Sequence, residues 1–170
     1  MKTSSARKIA ETRFQLLLRV KHPTLDTAEI TRELGIKPEH AANVGAAVSA
    51  TGKTRLHSES YWVAALPTPS VQETIEGWKS MSPNQPQGLL QLSREARRGL
   101  GLTQVTGFLD LQLLSWLRRL GQHASFFKSL NDSQGSVTLV LMRPNRDAPI
   151  TITPYLGRRL ADLGVRLEID

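Results

Sequence analysis

The stretch Leu25-Asp26-Thr27-Ala28-Glu29-Ile30-Thr31-Arg32-Glu33-Leu34-Gly35-Ile36-Lys37-Pro38 constrains the fold most, because it specifies a short helix together with both of its ends. Asp26 and Glu29 stand at capping-box spacing, so each side chain can accept from a backbone N–H that the first helical turn leaves unpaired. Ala28, Glu29, Arg32, Glu33 and Leu34 favour helix. Gly35 falls where a left-handed residue is wanted after a helix, and Ile36 is placed for the apolar contact that accompanies it. Pro38 keeps the helix from resuming. Upstream, Phe14 to Val20 is an apolar, strand-like run closed by His22-Pro23. The unit is strand, turn, helix, stop.

The rest of the chain repeats this grammar with interruptions. His40 to Thr54 is small and weakly patterned, and is expected to form an irregular strand and a loop. Ser60 to Leu66 reads as a strand stopped by Pro67 and Pro69. Val71 to Trp78 has a helical pattern, the proline-bearing Met81 to Gln87 reads as a linker, and Leu89 to Arg98 reads as a basic helix ended by Gly99 and Gly101. Leu109 to Gly121 is the strongest helix. At 100° per residue Leu109, Leu113, Leu114, Trp116, Leu117 and Leu120 share one face, opposite Gln112, Ser115, Arg118, Arg119 and Gln122. It is expected to continue through Ala124 to Leu130. Val137 to Met142 and Ile150 to Thr153 read as strands, Tyr155 to Leu163 as a helix opened by Pro154, and Val165 to Ile169 as a last alternating strand.

Leu163-Gly164-Val165-Arg166-Leu167-Glu168 lines up with Leu34-Gly35-Ile36-Lys37-Pro38-Glu39, each after a strand and a short helix. Internal duplication explains the match, and so does convergence on a common helix stop. Either way the expected class is α+β: a mostly antiparallel sheet of five or six strands with helices packed against it. The 170 residues are expected to form a single domain with a helical insertion at 67–104.

Composition narrows the classes of function. With no cysteine, neither a disulfide framework nor a thiolate metal site exists. Met1 to Arg13 is polar and charged, without the apolar region of a signal peptide, and no apolar run approaches the ~20 residues of a membrane span. A soluble cytoplasmic protein of bacterial type, with no membrane partner, is the expectation. The formal charge of +7 favours anionic partners without identifying one.

Three stretches together resemble a bacterial family, domain of unknown function 4279. They are the N-terminal strand with Leu25 to Pro38, the region of Gly45, Gly52 and Ser60-Tyr61-Trp62, and the run from Ile150 to Asp170. With the Leu109 to Leu120 helix, the resemblance covers most of the chain outside Pro67 to Gln104. The matching positions are caps, glycines and apolar strands. The resemblance therefore implies a fold and brings no catalytic residue with it.

Several motifs invite a chemical reading that their context does not support. Ala47 to Thr54 satisfies phosphate-loop spacing once Ala stands for the first glycine. That mechanism needs a strand before the loop and a helix N-terminus after it, yet Arg55 to Glu59 leads into a strand. Gly99-Leu100-Gly101 lacks the third glycine of a dinucleotide fingerprint. His22, His40, His57 and His123 are too scattered for a metal pair, and no cofactor is implied. Glu29 and Glu33 share a helix face with Arg32 between them, the pattern of a solvated surface. Ser58 and Ser60 lack a nucleophile elbow. Of Tyr61 and Trp62, strand alternation sends one to the core and one to the surface.

The arginine clusters are the remaining functional signal. Arg94, Arg97 and Arg98 fall within about one helical turn, Arg118 and Arg119 lie on a polar helix face, and Arg158 and Arg159 lie on the last helix. Arg94, Arg97, Arg98, Arg118 and Arg119 are the candidate surface for an anion or a partner, since the guanidinium fork binds phosphate at two points. Aromatics make up only 5% of the chain, which gives little stacking surface for nucleic acid. A non-catalytic interaction or ligand-binding domain is the leading expectation, for a protein partner or an anionic ligand. Nucleic-acid binding through the Arg-rich helices is the alternative. An enzyme with dispersed active-site residues ranks third.

Overall fold

The structure, a computed structural model, describes residues 15–50, 53–67, 112–113, 115–143, 150, 152 and 154–170. The helices expected at Val71–Trp78 and Leu89–Arg98, and the linker between them, lie outside these residues. So does the insertion expected at 67–104, apart from Pro67.

Five strands form one sheet: β1 (Gln15–His22), β2 (His40–Ala42), β5 (Ser60–Leu66), β6 (Ser136–Met142) and β7 (Val165–Ile169). Their order is β2-β5-β1-β6-β7. The sheet is mostly antiparallel, as expected, with β6 and β7 its parallel pair. Alternation along β1 sends Leu16, Leu18 and Val20 to one face, and the register sets them beside Leu66, Ala64 and Trp62 of β5 and Leu141, Leu139 and Val137 of β6. All nine are buried in one core. Covering them are α1 (Thr27–Leu34), the helical residues 115–120, α2 (Ala124–Asp132) and α3 (Pro154–Asp162), which contribute Ile30, Leu117, Phe127 and Leu156 among others.

The first helix is capped much as its sequence states, with one partner missing and another added. Asp26 accepts from the Ala28 N–H at 2.9 Å, and Gly35 takes the left-handed conformation at φ 62°. Glu29 does not return to the cap; its carboxylate turns to Arg32 at 3.7 Å. A different unpaired donor of the first turn, the Thr27 N–H, is taken by Asn43, from the loop after β2. The Asn43 Oδ1 accepts from the N–H and the hydroxyl of Thr27 at 2.9 and 2.8 Å, while its amide donates to Asp26 at 3.1 Å. A tertiary contact thus adds to the local cap.

The C-terminal echo is matched in detail. Gly164 is left-handed at φ 65°, and Leu163 and Val165 are buried as Leu34 is. The strands differ: β7 lies directly beside β6, whereas β2 runs parallel to β1 with β5 between them.

Four expectations need correction. The weakly patterned Ala47 to Leu56 forms a hairpin, β3 (Ala47–Ala50) with β4 (Lys53–Leu56), in place of a loop. The helix expected to run unbroken into Leu130 is interrupted by a 3-10 turn at Gly121–His123. Gln112 and Ser115, assigned to the polar face, are buried beside Leu113, Trp116 and Leu117, so the buried arc is wider than the apolar stripe; the Trp116 Nε1 donates to the Pro67 carbonyl at 3.0 Å. Ile150 and Ile152 are not in a strand; both pack against the core edge.

Two glycines separate steric need from helix propensity. A Cβ on Gly135 would stand 2.8 Å from both His22 Cδ2 and the Leu130 carbonyl, whereas one on Gly157, in α3, would meet nothing within 4 Å. Urea denaturation should show Gly135→Ala destabilising by about 1–3 kcal/mol through overpacking. Gly157→Ala should stabilise by about 0.5–1 kcal/mol. The Asp26 carboxyl is held below its ordinary range, first by the Ala28 N–H and then by the Asn43 amide. A depressed pKa contributes stability that is present above the unfolded value of about 3.9 and lost as pH falls through the folded one. The stability gap between the native chain and Asp26→Asn should therefore narrow as pH drops below about 4, measured by denaturation across an acid series.

Candidate functional site

The residues of β1 that point away from the core are Gln15, Leu17, Arg19 and Lys21, and the last three build the centre of the sheet's second face. The same register places Arg19 between Val63 of β5 and Thr138 of β6, and Lys21 between Tyr61 and Ser136. Further out, Thr138 faces Arg166 and Val140 faces Glu168 on β7, and Val63 faces His40 on β2. No described helix packs on this face. Val63, Thr138 and Val140 on this face are buried, and Leu17, Arg19, Lys21 and Tyr61 are partly so.

Charges on this face are held in fixed positions. Both terminal nitrogens of Arg19 reach the two carboxylate oxygens of Glu168, a two-point fork spanning β6. The Lys21 Nζ donates to Glu59 at 2.7 Å and lies 5.9 Å from the centre of the Tyr61 ring. The His40 ring sits 5.8 Å from that of Tyr61, tilted by 58°. Lys21, Tyr61 and His40 therefore make a compact cluster in which an ammonium and two rings converge near one end of the face. Such a cluster can take a planar anion: the ammonium supplies charge, and the rings supply stacking surface.

The sequence-predicted arginines are placed elsewhere. Arg94, Arg97 and Arg98 lie outside the described residues. Arg118 and Arg119 are exposed, on the helix that covers the opposite face of the sheet, and the Arg119 guanidinium lies 4.9 Å from the Trp116 ring centre. Arg158 is exposed on α3 and Arg159 partly so.

The histidines go to four different environments. The buried His22 is structural: its Nδ1 accepts from the N–H groups of Thr24 and Leu25, so Nε2 carries the proton donated to Ser133 Oγ at 2.9 Å. His123 is 3.4 Å from Glu33, His57 belongs to the hairpin's end through backbone bonds to Gly45 and Ala46, and His40 joins Tyr61. Among the described residues no three metal-ligating side chains cluster. Of the adjacent aromatics, Trp62 is the core residue, with Nε1 bonded to Thr31 Oγ1 at 2.9 Å, and Tyr61 is the one on the second face. The phosphate-loop spacing falls across the β3–β4 hairpin, so the helix N-terminus that its chemistry needs is missing there. Sequence reasoning did not single out Arg19, Lys21 or Glu168, whose grouping depends on pairing between distant strands.

Compared with family models, curated proteins and solved structures, the chain finds no match in any of the three. No helix among the described residues is long and apolar enough to cross a membrane.

Removing a group from the second face should leave the fold standing. Lys21→Ala and Tyr61→Ala should each change stability by no more than about 1 kcal/mol, as for exposed ion pairs and cross-strand neighbours. Trp62→Ala, one residue away, should cost about 3–5 kcal/mol. Denaturant titration of the three variants checks the contrast.

Proposed function

We propose that this protein is a non-catalytic binding domain, and that a ligand or protein partner carrying a planar anionic group docks on the second face of its sheet. The observation behind this reading is the cluster of Lys21, Tyr61 and His40, set on rigid strands and held by the Glu59 contact. Rigid strands lose little conformational entropy when a partner binds, which favours affinity. The resemblance to domain of unknown function 4279 belongs to the same proposal. It is supported by the capped helix and its echo, and it adds a family and a bacterial, cytoplasmic setting without adding chemistry.

Nucleic-acid binding is the second reading. It is favoured by the neighbouring exposed Arg118 and Arg119 in a chain of net charge +7. An NMR titration distinguishes the two, using benzoate as a planar carboxylate and a single-stranded oligonucleotide as a polyphosphate. Benzoate should shift the amides of Lys21, His40 and Tyr61, and Tyr61→Ala should abolish those shifts. Shifts at Arg118 and Arg119 with the oligonucleotide, fading as salt rises, would establish the second reading instead. If benzoate moves nothing on β1, β2 or β5, the second face is not the site.

A further inference from the structure

The outer edge of β7 has a pattern that its role in the core does not require. The Asp170 N–H donates to the Leu141 carbonyl and the Arg143 N–H donates to the Asp170 carbonyl, both at 3.0 Å, so Asp170 turns its backbone toward β6. Backbone groups alternate along a strand. Glu168 and Arg166 therefore also face β6, while Val165, Leu167 and Ile169 turn their N–H and C=O groups to the free edge. β7 is the last strand of the sheet, and no described strand pairs with that edge. Arg166, Glu168 and Ile169 are exposed, the last at 40%.

We propose that this edge is a dimerisation surface, on which a second copy of the chain adds its own β7 antiparallel about a two-fold axis at Leu167. In that register Leu167 pairs with the partner's Leu167, and Val165 pairs with the partner's Ile169. All three free-edge residues then form two backbone hydrogen bonds each. The non-hydrogen-bonded positions, where side chains approach most closely, set Arg166 opposite the partner's Glu168 and Glu168 opposite the partner's Arg166. Two-fold symmetry makes both contacts at once.

Charge is what singles out a second copy as the occupant. Residues 165 to 169 read apolar, basic, apolar, acidic, apolar, so the strand is complementary to itself when reversed. Slipping the register by two residues sets Arg166 against the partner's Arg166, or Glu168 against the partner's Glu168, and each slip is repulsive. Charged residues on an edge normally discourage pairing. Here their signs permit one pairing and oppose its neighbours. Arg166 makes no ion pair with any described residue, so its guanidinium is available. Glu168 already receives Arg19 from its own sheet, and a second guanidinium would complete an Arg–Glu–Arg row across the joint. One five-residue strand buries little area, which places the dimer among weak, concentration-dependent associations.

Analytical ultracentrifugation of the full chain, over a concentration series reaching the millimolar range, should show reversible dimerisation. R166E puts Glu against Glu at both contacts and should weaken the dimer by about tenfold or more. E168R puts Arg against Arg and should do the same. An equimolar mixture of R166E and E168R should form a heterodimer tighter than either variant alone, because every contact is then opposite in sign. Circular dichroism verifies that each variant folds. Should E168R lose its fold along with the Arg19 contact, Glu168→Gln, which removes the charge without reversing it, replaces it as the weakened homodimer. A native chain monomeric throughout, or a dimer as tight in R166E as in the native protein, overturns the proposal.

Discussion

The fold depends on β1 being paired on both sides. Hydrogen-bonded to β5 along one edge and to β6 along the other, it cannot tilt or slip without breaking two ladders. A shift of one residue would carry Leu16, Leu18 and Val20 to the second face and bring Arg19 and Lys21 under the helices. Fully burying a side chain of this size contributes roughly 1.5–3 kcal/mol, and Leu18 and Val20 are both fully buried. An unpaired cation in the core would cost far more than a surface one. The register is therefore fixed from both directions, by what must be inside and by what cannot be.

The second face follows from the same constraint. Once Leu16, Leu18 and Val20 are inward, Arg19 and Lys21 must lie outward at the centre of the sheet, where strands on both sides limit where a long side chain can go. Glu168 on β7 and Glu59 before β5 receive their charges. Exposed pairs like these add little stability. Their larger effect is positional, because they fix cations above a rigid surface and leave the Tyr61 and His40 rings beside one of them.

Sequence and structure agree where the signal is local and diverge where it is not. The α1 stop at Gly35, its counterpart at Gly164, the strands around Trp62 and Val140, and the helix opened by Pro154 are each written within a few residues. The hairpin was illegible because Ala47, Ser49, Ala50 and Gly52 are too small to show an alternating pattern. Asn43 was missed because its partners Thr27 and Asp26 come from another element, and only folding brings the amide to them. The buried Gln112 and Ser115 show a related limit: helical periodicity gives the direction of an apolar face but not how far the cover extends around it. For the candidate site, exposure of Arg118 and Arg119 could be read from the sequence. The Arg19 and Lys21 clusters could not, since they come from strand order and register.

The strand order also bears on how the chain reaches this state. β1 is made first, yet its partner β6 arrives only after most of the sequence has followed it, and β5 comes after a helix and a hairpin. Contacts so distant in sequence slow folding, since much chain entropy is lost before they form. By contrast β6, α3 and β7 follow one another among the described elements, and β7 pairs directly with β6. That unit can assemble as soon as it exists and present the free edge of β6 as a template. β1, which must pair with both β5 and β6, can complete its second ladder only once β6 exists, so the centre of the sheet stays half-paired until late in synthesis.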